Sequence, residues 1–178
     1  PFLYYGEEIG MTGQKPDPEI RTPMQWNGER GAGFSSGQPW HEINGDAAEV
    51  NVAAQDGDPD SLLSRYRDLI HLRNANPALR SAGAWLVETG DRGVYAVLRA
   101  SEDQAVLVVI NLDDEPVTDY ALALEEGPLQ GGFSAANLYG AGDAPLPPLL
   151  ANAGGGFDAY QPLPELVPGV VVVIELAP

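Results

Sequence analysis

Cysteine is absent from this 178-residue chain, which excludes disulfide scaffolds, thiolate zinc sites and cysteine nucleophiles. Positive charge is scarce: nine Lys and Arg stand against 26 Asp and Glu, for a formal net charge of −17. A field of that sign repels phosphate backbones and anionic lipid, so neither nucleic acid nor a membrane surface is expected as a partner. A neutral ligand is indifferent to it. The two histidines, His41 and His71, read as solvated or core side chains, and no metal or other cofactor is expected. No apolar run approaches the ~20 residues of a membrane span. What is present is an apolar fraction of 44%, too high for a disordered chain. At this length the chain can bury one sizeable core or two small ones.

The first five residues, PFLYY, form an apolar run that stops at Gly6, Glu7 and Glu8. Such a run bounded by Gly predicts a short buried strand, which needs neighbours on both sides for its backbone groups. The chain is therefore expected to be the C-terminal part of a larger protein. Residues 12–58 are rich in Gly, Pro, Asp and Asn and carry no sustained period, which predicts a long, functional loop. Residues 60–75 switch to a helical period. Leu62, Leu63, Tyr66, Leu69, Ile70 and Arg73 make one stripe, Asp60 or Ser61 can cap the start, and Asn76-Pro77 stops it. From Gly83 onward, short β-rich runs at 84–89, 93–100, 105–112, 117–124, 133–139 and 169–176 alternate with Gly, Asp and Pro clusters, predicting an antiparallel sandwich. Residues 140–168 are expected to be an irregular loop, and a domain boundary is expected near residue 82.

Two blocks carry a resemblance to a known family: LYYGEEIGM (3–11) and IRTPMQW (20–26). Together they resemble the α-glucosidase and oligo-1,6-glucosidase branch of the α-amylase superfamily, glycoside hydrolase family 13. GFSSGQPW (33–40) and the helical stretch 60–80 are similar to the segments that follow in those enzymes. The resemblance implies that residues 1–82 supply the last strand, a long active-site loop and the last helix of a (β/α)8 TIM barrel. Residues 83–178 then form an antiparallel β-sandwich C-terminal domain. The loop leaving a barrel strand's C-terminal end lines the active-site mouth. The implied activity is hydrolysis of α-linked gluco-oligosaccharides with retention. A trehalose synthase or transglucosidase of the same superfamily, and a non-catalytic sugar-binding or structural module, are the alternatives.

Retaining glycosidases use two carboxyl groups about 5 Å apart. In this superfamily they lie on earlier barrel strands, and a stabilising Asp sits in a His-Asp motif. The sequence holds no His-Asp pair: His41 precedes Glu42 and His71 precedes Leu72. No catalytic residue is assigned, and the chain alone is expected to be inactive. Glu7 and Glu8 are adjacent and point apart, so they cannot flank one bond. The substrate-binding candidates are Arg21, Glu7 and Trp26. Arg21 offers a five-donor fork for sugar hydroxyls, and its structural alternative is to pin the loop through an acidic partner. Glu7 can orient hydroxyls, or simply accept backbone hydrogen bonds. Trp26, Trp40 and Phe34 can stack on sugar faces, although aromatics of one loop more often form its mini-core. The acidic run at 56–60 lacks the Gly and Glu of a calcium loop, and helix capping explains it better. The lack of cysteine favours a cytoplasmic over a secreted location, and any signal peptide would precede Pro1.

Overall fold

The computed structural model describes residues 2–80 and 83–178. It divides into two compact units, Pro1–His71 and Leu72–Pro178. In the first unit, residues 2–5 form no strand, and Phe2, Leu3, Tyr4 and Tyr5 are all exposed. Strand conformation is held by cross-strand backbone pairing, and no described strand pairs with this run. The expected buried strand is thus not formed within these residues. The unit's small core is Ile9, Met24 and Leu63, with Met11 and Val52 packed against it.

Side-chain amides knit this loop-rich unit together. Helix α1 (Val52–Gln55) is capped by Asn51, whose Oδ1 accepts from the Ala54 amide at 2.8 Å. Gln55 donates through Nε2 to the Ile9 carbonyl at 2.8 Å and accepts from the Leu63 amide at 3.0 Å. Helix α2 (Leu62–Ala75) starts at Ser61, whose Oγ accepts from the Ser64 amide at 3.2 Å, and it stops at Asn76 as expected. Asp58 serves the turn before that helix: its Oδ1 accepts from the Asp60 amide at 3.0 Å. Of the predicted apolar stripe, Leu63 is buried, whereas Leu62, Leu69 and Ile70 are exposed.

The second unit begins with the last turn of α2 and helix α3 (Pro77–Arg80) and continues as antiparallel strands. These are β1 (Gly83–Val87), β2 (Val94–Ala100), β3 (Ala105–Asn111), β4 (Leu122–Glu126), β5 (Gly132–Tyr139), β6 (Leu149–Leu150), β7 (Gly155–Tyr160) and β8 (Val171–Ala177). Six of them hydrogen-bond in the order β1-β2-β3-β8-β5-β6, and β4 pairs with β7. Isolated bridges, Glu88 to Ala123 and Ala151 to Phe157, tie the two-stranded ribbon to both ends of the larger sheet. The result is a curled antiparallel sheet. Alternation fills it: Ala96, Leu98, Leu107, Val109, Leu122, Phe157, Val172, Ile174 and Leu176 share one core. On the other face of β3 and β8, Val106 and Val173 are buried under Ala78 of α3.

Two expectations are corrected here. Residues 140–168 are not an irregular loop, because they hold β6 and β7. The strand signal is masked by the glycines that make the pairing possible: a Cβ on Gly156 would lie 1.8 Å from the Leu124 carbonyl. Phe157 and Tyr160 then supply the buried side of β7. The run 117–124 is also not one strand. Val117 bridges Leu166, and β4 starts only at Leu122.

Candidate functional site

The motif residues 20–26 form a buried block, 22–25, with exposed residues at both ends. Thr22, Met24 and Gln25 are buried, while Arg21 and Trp26 are exposed. Backbone bonds hold the display end on two sides: the Trp26 amide donates to the Ala32 carbonyl at 2.8 Å, and the Ala53 amide donates to the Trp26 carbonyl at 3.0 Å. Gln25 reaches inward, donating through Nε2 to the Asp46 carboxylate at 3.2 Å and to the Val50 carbonyl. Its Oε1 is buried without a hydrogen-bond partner among the described residues. With its neighbour anchored, the Trp26 indole is left facing out, 51% exposed.

The first motif block meets this segment through Tyr5, whose hydroxyl donates to the Thr22 carbonyl at 3.0 Å. Burial pushes that hydroxyl's pKa up and the neighbouring Tyr4 adds to the effect, while the Arg21 guanidinium opposes it. The chain then turns through a short 3-10 helix, Glu7–Ile9, flanked by Gly6 and Gly10 at positive φ. A Cβ on Gly6 would lie 2.7 Å from the Met11 sulfur, so the turn needs glycine there. Both glutamates serve this turn. Glu7 accepts from the Tyr4 amide at 3.2 Å, and Glu8 accepts from the Gly6 amide at 2.8 Å.

These pieces enclose an open pocket of about 330 Å³, lined by Tyr5, Glu8, Thr22, Pro23, Met24, Trp26, Phe34 and Trp40. It is an aromatic surface with one carboxylate and one hydroxyl-bearing wall, suited to a ligand with both apolar faces and hydrogen-bonding edges. Trp26, Phe34 and Trp40 do not form a mini-core: all three are exposed, and the small core lies elsewhere, at Ile9, Met24 and Leu63. Trp26 thus sits in the pocket wall, whereas Glu7 and Arg21 lie outside the lining. Arg21 ends the 3-10 helix Asp17–Ile20 and pairs with Asp17 at 3.0 Å across an exposed surface. An exposed pair of this kind contributes about 0–1 kcal/mol, and one contact leaves most of the guanidinium fork for other acceptors. Glu8 rather than Glu7 is the pocket carboxylate, and Tyr5 was not singled out by sequence. A run of five apolar residues hides which one of them turns toward a ligand.

The described residues contain no group of three or more His, Asp or Glu that could hold a metal ion. Among them, no helix is long and apolar enough to cross a membrane.

Residues 1–82 match the alpha-amylase family, by its catalytic domain. They belong to it. The likeness to curated relatives extends beyond these residues. A glucan 1,6-alpha-glucosidase of Streptococcus pneumoniae is 34% identical over 151 residues, covering 65% of this chain and 28% of that protein. A probable alpha-glucosidase of Rhizobium meliloti is 38% identical over 152 residues, covering 74% of this chain and 27% of that protein. Among solved structures, a variant of a trehalulose synthase in complex with Tris superposes with a TM-score of 0.70 at 26% identity. That match covers 99% of this chain and 35% of the other. The chain therefore spans about a quarter to a third of the length of the alpha-amylase family proteins it matches.

Proposed function

We propose that this chain is the C-terminal portion of a retaining, α-glucosidase-like enzyme of the alpha-amylase family that acts on α-linked gluco-oligosaccharides. In this reading residues 1–82 complete a (β/α)8 barrel, with residues 2–5 taking up strand conformation beside barrel neighbours. Residues 83–178 are its antiparallel C-terminal domain. The observation that carries the reading is the pocket that Tyr5, Trp26, Phe34 and Trp40 line together with Glu8. Pyranose rings present apolar C–H faces to aromatic planes and hydroxyls at their edges, and this lining offers both kinds of contact. Trp26 stacks on the sugar, and Arg21 and Glu7 on the neighbouring surface take its hydroxyls. The glucosidase names of the relatives support the substrate class. The nucleophile and the acid/base are assigned outside these 178 residues, so the chain binds sugar without turning it over.

The test is a titration of the 178-residue chain with isomaltose and with maltose, followed by tryptophan emission. Saturable binding weakened at least tenfold in Trp26→Ala and Arg21→Ala supports the reading. Absence of saturable binding removes both residues from the substrate surface and leaves a structural module. Hydrolysis of p-nitrophenyl α-glucoside is expected only from a longer polypeptide that supplies the carboxylates.

The likeness to a trehalulose synthase favours a second reading, in which the same glucosyl intermediate is passed to a sugar acceptor instead of water. Product analysis separates the two: free glucose from maltose indicates hydrolysis, and a rearranged disaccharide indicates transfer.

A further inference from the structure

Trp40 borders two depressions of the first unit. One is the aromatic pocket. The other, about 660 Å³, is lined by Glu19, Gln38, His41 and Glu42 among others. His41 lies against Trp40, with ring centroids 5.3 Å apart at an interplanar angle of 55°. Both of its ring nitrogens face acceptors. Nε2 is 3.4 Å from Oε1 of Glu19, and Nδ1 is 3.2 Å from the Glu42 carbonyl. A neutral imidazole carries one proton and can donate to only one of these, turning a lone pair toward the other. Only the imidazolium satisfies both.

Glu19 belongs to the 3-10 helix Asp17–Ile20, which ends at Arg21. The His41–Glu19 contact therefore joins the turn that presents Arg21 to the segment that presents Trp40. We propose that His41 and Glu19 form a protonation-dependent strap that holds Trp40 in place as a wall of the aromatic pocket. The charged group facing His41 is Glu19 from the turn; Glu42, the next residue, offers the ring its backbone carbonyl and lines the same depression. The strap is complete while His41 is protonated and Glu19 ionised; a neutral ring gives up the ion pair and keeps at most one of the two hydrogen bonds, which loosens the strap. Its effect on sugar affinity rests on the reading of the pocket given above; the strap itself does not.

The experiment compares tryptophan emission of the 178-residue chain at about pH 5.5 and about pH 8, either side of ordinary histidine titration. The Trp40 contribution is isolated by subtracting Trp40→Phe. We expect that contribution to change between the two conditions in the parent chain and to stay constant in His41→Gln and Glu19→Gln. His41→Lys, cationic at both, keeps the low-pH signal throughout. Ring nitrogen shifts of His41 are expected to follow the same pH course as the Trp40 emission, a readout that needs no substitution. A Trp40 change that persists in His41→Gln, or a parent chain without one, overturns the strap. Isomaltose affinity is then expected to fall by up to about fivefold at the higher pH, the range of an exposed ion pair, and to be flat in His41→Lys. If no sugar binds at either pH while the emission change follows His41, the strap stands and the sugar reading falls.

Discussion

Gln25 donates to the carboxylate of Asp46 from a fully buried position, at 3.2 Å, so the segment that displays Trp26 is fastened to the 46–50 turn from behind. The same amide nitrogen serves the Val50 carbonyl. This makes the identity of the side chain's end group decisive. Gln25→Leu loses the two donated bonds but also removes the buried, unpartnered Oε1, and should cost about 1–2 kcal/mol. Gln25→Glu puts a carboxylate against Asp46 and a carbonyl with no donor between them, and should cost about 3 kcal/mol or more. Thermal unfolding of the two variants gives the order. A milder effect for Glu than for Leu would mean that the Asp46 contact does not hold the segment.

Arg21 makes the opposite prediction, large in binding and small in stability. Its pairing with Asp17 is between two side chains each 57% exposed, so breaking it should change stability by less than about 1 kcal/mol. Arg21→Lys keeps the charge and loses the planar fork. The variant should melt with the parent chain yet bind isomaltose several-fold more weakly. Parent-like binding in this variant would reduce Arg21 to a partner of Asp17.

The ease of reading this chain from sequence followed how local the forces are. Helix α2 was legible to within about two residues because its cap, Ser61, and its stop, Asn76-Pro77, are short-range signals. Strands β3 and β8 were legible because they are dense in β-branched residues. Strand β7 was not, because Gly155 and Gly156 lower its strand propensity in return for a close backbone approach to Gly127 and Leu124. The site divided in the same way. Trp26, Phe34 and Trp40 stand out as residue types in the loop, whereas Tyr5 and Glu8 join the pocket only through the turn set by Gly6 and Gly10. The run at 2–5 shows the limit most clearly. Its composition asks for burial, but strand pairing is supplied by distant residues that no local pattern can provide.

Gly140 is expected to be among the least replaceable residues of the second unit. It ends β5 at φ +83, and a Cβ there would lie 1.8 Å from the Val171 carbonyl, at the start of β8. Gly140→Ala carries both the left-handed strain and the clash, so β5 and β8 must separate at that end. A loss above about 2 kcal/mol is expected, compared with about 1 kcal/mol or less for Gly169→Ala. Gly169 also has positive φ but has open space around it. Equal losses in the two variants would show that the approach to Val171 carries no cost of its own.

Tyr160 links the second unit's stability to alkaline pH. It is 6% exposed, it donates to the Pro147 carbonyl at 2.9 Å, and its ring meets Phe157 edge-on at 6.2 Å. Burial, with Tyr120 adding, pushes its hydroxyl up to about 12. Tyr120 is raised too, by burial, opposed by the Leu163 amide, which donates to its hydroxyl oxygen at 3.3 Å. An unfolded tyrosine ionises near about 10, so above that value the unfolded chain sheds protons that the folded chain keeps. The stabilisation is therefore complete below about pH 10 and is lost as the pH climbs toward 12. The denaturation midpoint should fall steeply over that interval, and the part of the tyrosinate absorbance that Tyr160→Phe removes should rise together with loss of strand signal rather than before it. Tyr160→Phe gives up the bond to Pro147, at a cost of about 1 kcal/mol near neutrality, but should flatten the alkaline slope. If Tyr160→Phe retains the full slope, the proton that opens the sheet belongs to another group.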